Sequence, residues 1–344
     1  MRAFTTLLLA TLALHCPSAV AAAQPKTDVV TLANGDRITG EVKGLNRGRL
    51  EFSTDDAGTL YLEWDKLVSV VATARYVEVV TNDGRRFLGS LGLAPPKSIA
   101  VVVPDDTVVL TMPEVTIIRP IGSSFWSNLD GSVDAGFNYT RSSGVAQLNF
   151  NSDTVYRKFA SQFRLTASFT VTETDDDEGR DDRGTMEMSY LRYPWREWFV
   201  VGIGRFETNE SLGVELRSQV GFATGPRLIN SNRGQLSLGG GLVFNDEIGV
   251  DVERAQNVEA LFVVQASYFT YDRPKTNLDL SLQYYPSLSN TGRHRLELDA
   301  GIKRELLKDL FVGLNIYNSY DNRPPNPTAD RNDIGIVASI GWTY

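Results

Sequence analysis

The sequence predicts an all-β protein: a twelve-stranded antiparallel transmembrane β-barrel, preceded by a small periplasmic β module with an internal repeat of SH3-like or Sm-like type. Three observations predict it. From about Trp126 onward the chain consists of long segments in which apolar and polar residues alternate strictly, the period of a strand with two unlike faces. The connections between these segments alternate between short and long. The chain also ends on "DIGIVASIGWTY", where Ile334, Ile336, Ala338, Ile340, Trp342 and Tyr344 share one apolar face.

The first element is a leader. "MRAFTTLLLATLALHCPSAVAAAQ" has a basic start at Arg2, an apolar run from Leu7 to Leu14 and small residues at Ala19–Ala23, so residues 1–23 read as a secretory signal peptide. His15 occupies the place where a lipoprotein signal wants a small residue, which disfavours lipidation at Cys16. Cys16 is the only cysteine, and disulfides therefore play no part in the mature chain. A net charge of -8 and the lack of a basic stripe exclude nucleic acid as a partner. No segment of 18 consecutive apolar residues follows the leader, so strands and not helices must make any crossing.

Residues 24–120 carry the repeat. "VTLANGDRITGEV" returns about 49 positions later as "VVTNDGRRFLGSL", matching Gly35 with Gly84 and Gly40 with Gly89, while Leu67-Val68 matches Val115-Thr116. Asn-Gly and Asp-Gly turns between β-rich runs predict hairpins in two small units that share a core. A structural or adaptor role is expected for this module. Binding of a periplasmic protein or glycan is the sharper alternative.

Residues 126–344 carry the alternating strands. Val133, Ala135, Phe137 and Tyr139 oppose Ser132, Asp134 and Asn138; Leu278, Leu280, Leu282 and Tyr284 oppose Asn277, Asp279, Ser281 and Gln283. Only "WFVVGIGRF" is ambiguous in its two faces. A soluble sandwich would have the same period, but strands of 10–13 residues with aromatics towards their ends suit a tilted membrane span. "RK", "YPWRE" and "RELLKD" read as tight turns, whereas "TETDDDEGRDDRG", "NDEIGVDVERAQ" and "DNRPPNPTADRND" read as long acidic loops. An even strand number places both termini on the periplasmic side and allows closure of the first strand on the last.

"YYPSLSNTGRHRLELDAGIKRELLKDLFVGLNIYNSYDNRPP", the terminal "GWTY", "RYPWREWFVVGIGRFE" and "NGDRITGEV…LEWDKLVSV" resemble the family labelled domain of unknown function 481, also named for salt-induced outer-membrane proteins. The resemblance covers nearly the whole mature chain and is most specific over 276–325. It implies a β-barrel in the bacterial outer membrane with an N-terminal extension in the periplasm. It implies no catalytic residues. As an outer-membrane barrel the chain would present Ile340, Trp342 and Tyr344 to the barrel-assembly machinery.

Chemistry is sparse. His294 is the one histidine after the leader, near Ser281, Ser289 and Asn290, but its parity is that of the apolar face, which fits an interfacial strand end better than a hydrolase pair. Seven carboxylates fall between Glu173 and Asp182, yet Gly179 misses the place that a calcium loop requires, so no metal site is expected. The polar face predicts a lumen lined by Asp130, Asp134, Arg164, Glu187, Glu215 and Arg217, and further along by Glu259, Asp279, Arg295, Glu297, Asp299 and Lys303. Acids outnumber bases there, which would favour cations in any pore. The expected protein is non-enzymatic and without cofactor, a small channel or structural barrel in contact with outer-membrane lipid and lipopolysaccharide. Anchoring through the module is the second reading, and lipid hydrolysis the third.

Overall fold

The computed structural model of the chain describes residues 26–140, 145–174, 180–209, 214–249, 252–324 and 331–342. The leader, most of the acidic stretch after Glu173 and Tyr344 lie outside the described residues. Nine strands form the first sheet: β1 (Asp28–Leu32), β2 (Arg37–Asn46), β3 (Arg49–Ser53), β4 (Thr59–Glu63), β5 (Leu67–Thr81), β6 (Arg86–Gly92), β7 (Ser98–Val103), β8 (Asp106–Thr111) and β9 (Val115–Pro120). Their order is β4-β3-β2-β1-β5-β6-β7-β8, with β9 laid against β2 and β5.

The repeat governs this arrangement. Gly35 and Gly84 take φ of +92° and +78° in equivalent turns, a region open to glycine and strained for other residues. A Cβ on Gly40 would strike Phe52 and Ser53, and one on Gly89 would strike Val102, so each matched glycine lets a hairpin close. Each copy then makes one short 3-10 turn, Trp64–Lys66 in the first and Met112–Glu114 in the second. The indole of Trp64 donates to the Met112 carbonyl at 2.7 Å, tying the two turns together. β5 serves both copies: its first half pairs with β1 and its second half with β6 and β9. Phe52, Trp64 and Leu67 of one copy and Ile99, Met112 and Val115 of the other accordingly lie in a single buried cluster.

Twelve strands in sequential antiparallel order form the second sheet. They are β10 (Leu129–Thr140), β11 (Val145–Lys158), β12 (Ser161–Thr174), β13 (Arg180–Arg192), β14 (Trp198–Asn209) and β15 (Val214–Asn230), then β16 (Gly234–Gly249), β17 (Val252–Thr270), β18 (Thr276–Pro286), β19 (His294–Leu307), β20 (Leu310–Asp321) and β21 (Asn332–Trp342). The sheet curves, because Arg293, just before β19, meets Glu247 of β16 at 3.8 Å and Asp321 of β20 at 2.7 Å. The mainly polar set of most strands therefore faces inward and the mainly apolar set outward. No described helix is long and apolar enough to cross a membrane.

Two expectations need correction, and a third is not met among the described residues. The stretch 245–256 is not a loop: β16 runs to Gly249 and β17 starts at Val252, since the alternation continues through Val243, Asn245 and Glu247 inside and Phe244, Asp246 and Ile248 outside. "TETDDDEGRDDRG" likewise is largely strand, the ends of β12 and β13. Closure is also absent among the described residues, where no ladder joins β10 to β21. An even strand count permits closure but supplies no cross-sheet contact. The inner faces of these two strands offer Ser132, Asp134 and Gly136, Gly335 and Ser339, with no ion pair or apolar cluster to draw the edges together.

The nine-stranded sheet sits on the short-turn end of the curved one, touching four successive turns. The amide of Ala160, between β11 and β12, donates to Glu78 at 3.0 Å. Arg86 stacks 4.0 Å over Tyr193, between β13 and β14. Asn230, at the end of β15, donates to the Thr81 carbonyl and the Thr116 hydroxyl, and Asn232 donates to the Val115 carbonyl. Tyr271, between β17 and β18, donates to the Arg47 carbonyl at 2.9 Å.

Candidate functional site

The inner face of the curved sheet divides by height. Farther from the short turns, Ala223, Val243, Leu261 and Tyr285 form a small apolar cluster, with Val201 and Val263 against it. This explains the ambiguity of β14: Val201 faces inward and is apolar because it packs on that cluster, while Arg205 and Glu207 farther along the same face are charged.

Buried ion pairs surround the cluster. Glu259 is fully buried and receives a fork from Arg295, Nε to Oε1 at 3.1 Å and Nη2 to Oε2 at 2.7 Å. Arg295 also lies 4.6 Å over the Tyr285 ring and reaches Glu297 at 3.6 Å. Glu247 takes Arg217 at 2.5 Å on one side and Arg293 at 3.8 Å on the other, while Glu207 stands 3.5 Å from both Arg205 and Arg217. Charges withdrawn from water need such matched partners, and here each carboxylate has one. Asn245, beside this chain of pairs, is buried with both amide atoms unpartnered among the described residues.

Nearer the short turns the inner face opens into a basin of about 560 Å³ between β16 and β20, walled by amides and hydroxyls such as Gln235, Gln265, Ser267 and Asn315. Its rim holds a guest from the first sheet. Arg47, at the tip of the β2–β3 hairpin, donates to Asp279 at 2.8 Å and to Asn277, with its guanidinium 4.7 Å over Phe269. Arg47 has φ +51° and Gly48 has φ +68°. A Cβ on Gly48 would collide with the Asn232 carbonyl, so this tight turn is what brings Arg47 to the rim.

The structure brings together part of the set read from the sequence. Glu259, Arg295 and Glu297 form one buried cluster, Arg217 joins Glu247, and Asp279 is held by Arg47. Asp130 pairs with Arg157, and Arg164 with Asp153 through Nε at 2.9 Å, both along the wall of β10–β12. Asp134, Glu187, Glu215 and Asp299 form no salt bridge among the described residues, and Lys303 lies 5.1 Å from the Phe311 ring. Ile340 and Trp342 are exposed on the outer face of β21. His294 sits on the outer face between the rings of Tyr284 and Tyr320, with centroids 6.2 and 5.8 Å away.

Sequence reasoning missed Glu247, Arg293, Asp321 and Arg47. Glu247 was readable, because it continues the inward set of β16. Arg47 was not, since "LNRGR" looks like any hairpin tip and only the docked fold shows what it reaches.

The family description "Protein of unknown function, DUF481" matches residues 132–344. A search of curated proteins gives no match. Among solved structures, one described as "Bacterial polysaccharide outer membrane secretin" is similar at a TM-score of 0.35 and 10% identity, over 78% of this chain and 97% of that one.

Proposed function

The chain belongs to the DUF481 family, and from that premise we propose that it is a non-enzymatic outer-membrane β-barrel, a narrow cation-biased channel whose periplasmic mouth is covered by its own N-terminal module. One observation carries the reading: the outward face of the curved sheet carries a broad band of uncovered apolar side chains. Phe137 is 72% exposed, Ile336 64%, Ile340 73% and Trp342 72%, far beyond what water-soluble surfaces tolerate as a continuous band. Aromatics mark both heights of this band, with Phe163 opposite Tyr190 near the short turns and Tyr284 and Tyr320 flanking Leu296 at the other end. Outer-membrane lipid and lipopolysaccharide are the surroundings that suit such a face. The barrel-assembly machinery would read Ile340, Trp342 and Tyr344, and the module remains free on its far side for a periplasmic protein or glycan.

The buried ion pairs narrow the lumen, while Asp134, Glu187 and Glu215, without a salt bridge among the described residues, leave it with an excess of negative charge. In planar bilayers the native chain is expected to pass small cations in preference to anions, at low conductance. Arg47→Ala should raise that conductance by uncovering Asp279 at the mouth. Anion-selective reversal potentials, or an Arg47→Ala channel indistinguishable from native, would contradict the reading.

Hydrocarbon offers nothing to the edge N–H and C=O groups of β10 and β21, so in a membrane these edges close on each other. A register that sets Leu129 against Trp342 keeps both inner faces together and places Ser132 opposite Ser339. The mature chain has no cysteine, so Ser132→Cys with Ser339→Cys is a clean pair. Oxidation in outer membranes is expected to give an intrachain disulfide, seen as a mobility shift of the monomer. A product of doubled mass would mean instead that the edges pair between copies.

A further inference from the structure

The two heights of the inner face differ in how their polar groups are satisfied. Around the apolar cluster the charged groups are matched to one another, through Glu259 with Arg295 and Glu247 with Arg217. In the basin they are not. The side chains of Gln235 and Gln265 on β16 and β17 make no hydrogen bond among the described residues, nor do those of Ser237, Ser267 and Ser281. Asn315 and Tyr317 on β20 complete the wall in the same unspent state. These groups come from four strands, β16, β17, β18 and β20, and line one space, so their hydrogen-bonding capacity is available to whatever fills it.

Charge narrows the class of that occupant. Asp279 is already neutralised by Arg47 at 2.8 Å. Asp299 and Lys303, both exposed on β19, oppose each other in sign. The other polar groups in the wall are amides and hydroxyls, each of which donates and accepts, set among apolar residues such as Ala266 and Ala300 and beside the half-exposed ring of Tyr317. A ligand that answers it is uncharged, carries many groups that both donate and accept, and presents an apolar face to a ring. The volume of about 560 Å³ falls within the range of about 300–1,000 Å³ usual for small-molecule sites.

We propose that this basin binds a neutral polyhydroxylated solute of one or two sugar rings. The proposal rests on the reading of the inner face as a solute compartment and goes further by naming what it holds. Arg47 has a part in it, because by cancelling Asp279 it keeps the site neutral.

The test is calorimetry on the full mature chain, refolded in detergent, titrated with glucose, maltose, gluconate and glucosamine. Maltose is expected to bind in the millimolar range and more tightly than either charged sugar. Gln265→Ala should weaken it by up to about tenfold, the worth of a lost hydrogen bond. Ser267→Trp, which fills the basin, should abolish it, and Arg47→Ala should shift preference towards glucosamine by freeing Asp279. No heat from either neutral sugar, tighter binding of gluconate or glucosamine by the native chain, or maltose binding unchanged in Ser267→Trp would overturn the proposal. Maltose-driven swelling of liposomes is the separate arm. Binding without swelling would sink the channel reading and leave the site standing.

Discussion

Glu259→Ala is expected to destabilise the curved sheet by about 3–5 kcal/mol, the usual cost of leaving one partner of a buried ion pair alone. Arg295 is only 7% exposed and donates both of its short hydrogen bonds to Glu259, so the alanine variant strands a guanidinium beside Tyr285 with Glu297 as its remaining, more distant acid. The charge, and not the packing, dominates this loss. A double replacement, Glu259→Leu with Arg295→Met, removes both ions and should recover most of it, since apolar groups of similar volume often replace a buried pair at little cost. Urea unfolding in detergent micelles, followed by tryptophan fluorescence, reads both variants. If Glu259→Ala lost less than about 1 kcal/mol, the range of an exposed pair, the pair would be no more than a surface contact.

Glu78→Ala is expected to undock the first sheet from the second. Glu78 is 1% exposed and collects three partners: Arg86 at 2.6 Å, Arg119 at 3.7 Å and the Ala160 amide at 3.0 Å. Burial pushes the Arg86 guanidinium down from its ordinary value, and Glu78 is what pulls it back up. Without the carboxylate Arg86 keeps only its stacking on Tyr193, and both Nε and Nη2 already lack hydrogen bonds among the described residues. The loss should again be about 3–5 kcal/mol, concentrated at the junction. Phe125, in the connection between the sheets, is 54% exposed and stacks on Tyr156 at 4.8 Å. Chymotryptic cleavage there should accelerate at least about tenfold in Glu78→Ala, as a change of more than 1.4 kcal/mol in the docking equilibrium requires. Cleavage at the native rate would show that the sheets are held together elsewhere.

The strands were legible because period 2 is a local property. Val133 through Tyr139 and Leu278 through Tyr284 state their faces without reference to any other strand. β14 was legible only as a strand, because Val201 is apolar for its packing against the Ala223 cluster, which no local pattern reveals. The repeat was legible through its glycines, each needed for a turn or a close approach. Charged inner residues could be named singly, but their pairing depends on how far the sheet curls, and so Arg293 and Asp321 escaped notice. His294 drew attention instead, as a lone histidine does, although its neighbours prove to be two tyrosine rings. Two of the three long acidic stretches expected as loops are strand, because an alternating charged stretch is equally a strand that extends beyond the apolar band.

The sharing of β5 by both repeat copies has a consequence for ancestry and for folding alike. Neither copy owns a complete set of strands or a complete core, because β5 pairs with β1 on one half and with β6 and β9 on the other, and β9 reaches back to β2. Half of this unit is not a smaller version of it. The internal repeat is what duplication of one unit would leave, and with β5 and the core common to both copies, removing either would uncover the other's share of buried apolar surface. Any truncation between them removes the template from which the other half is built.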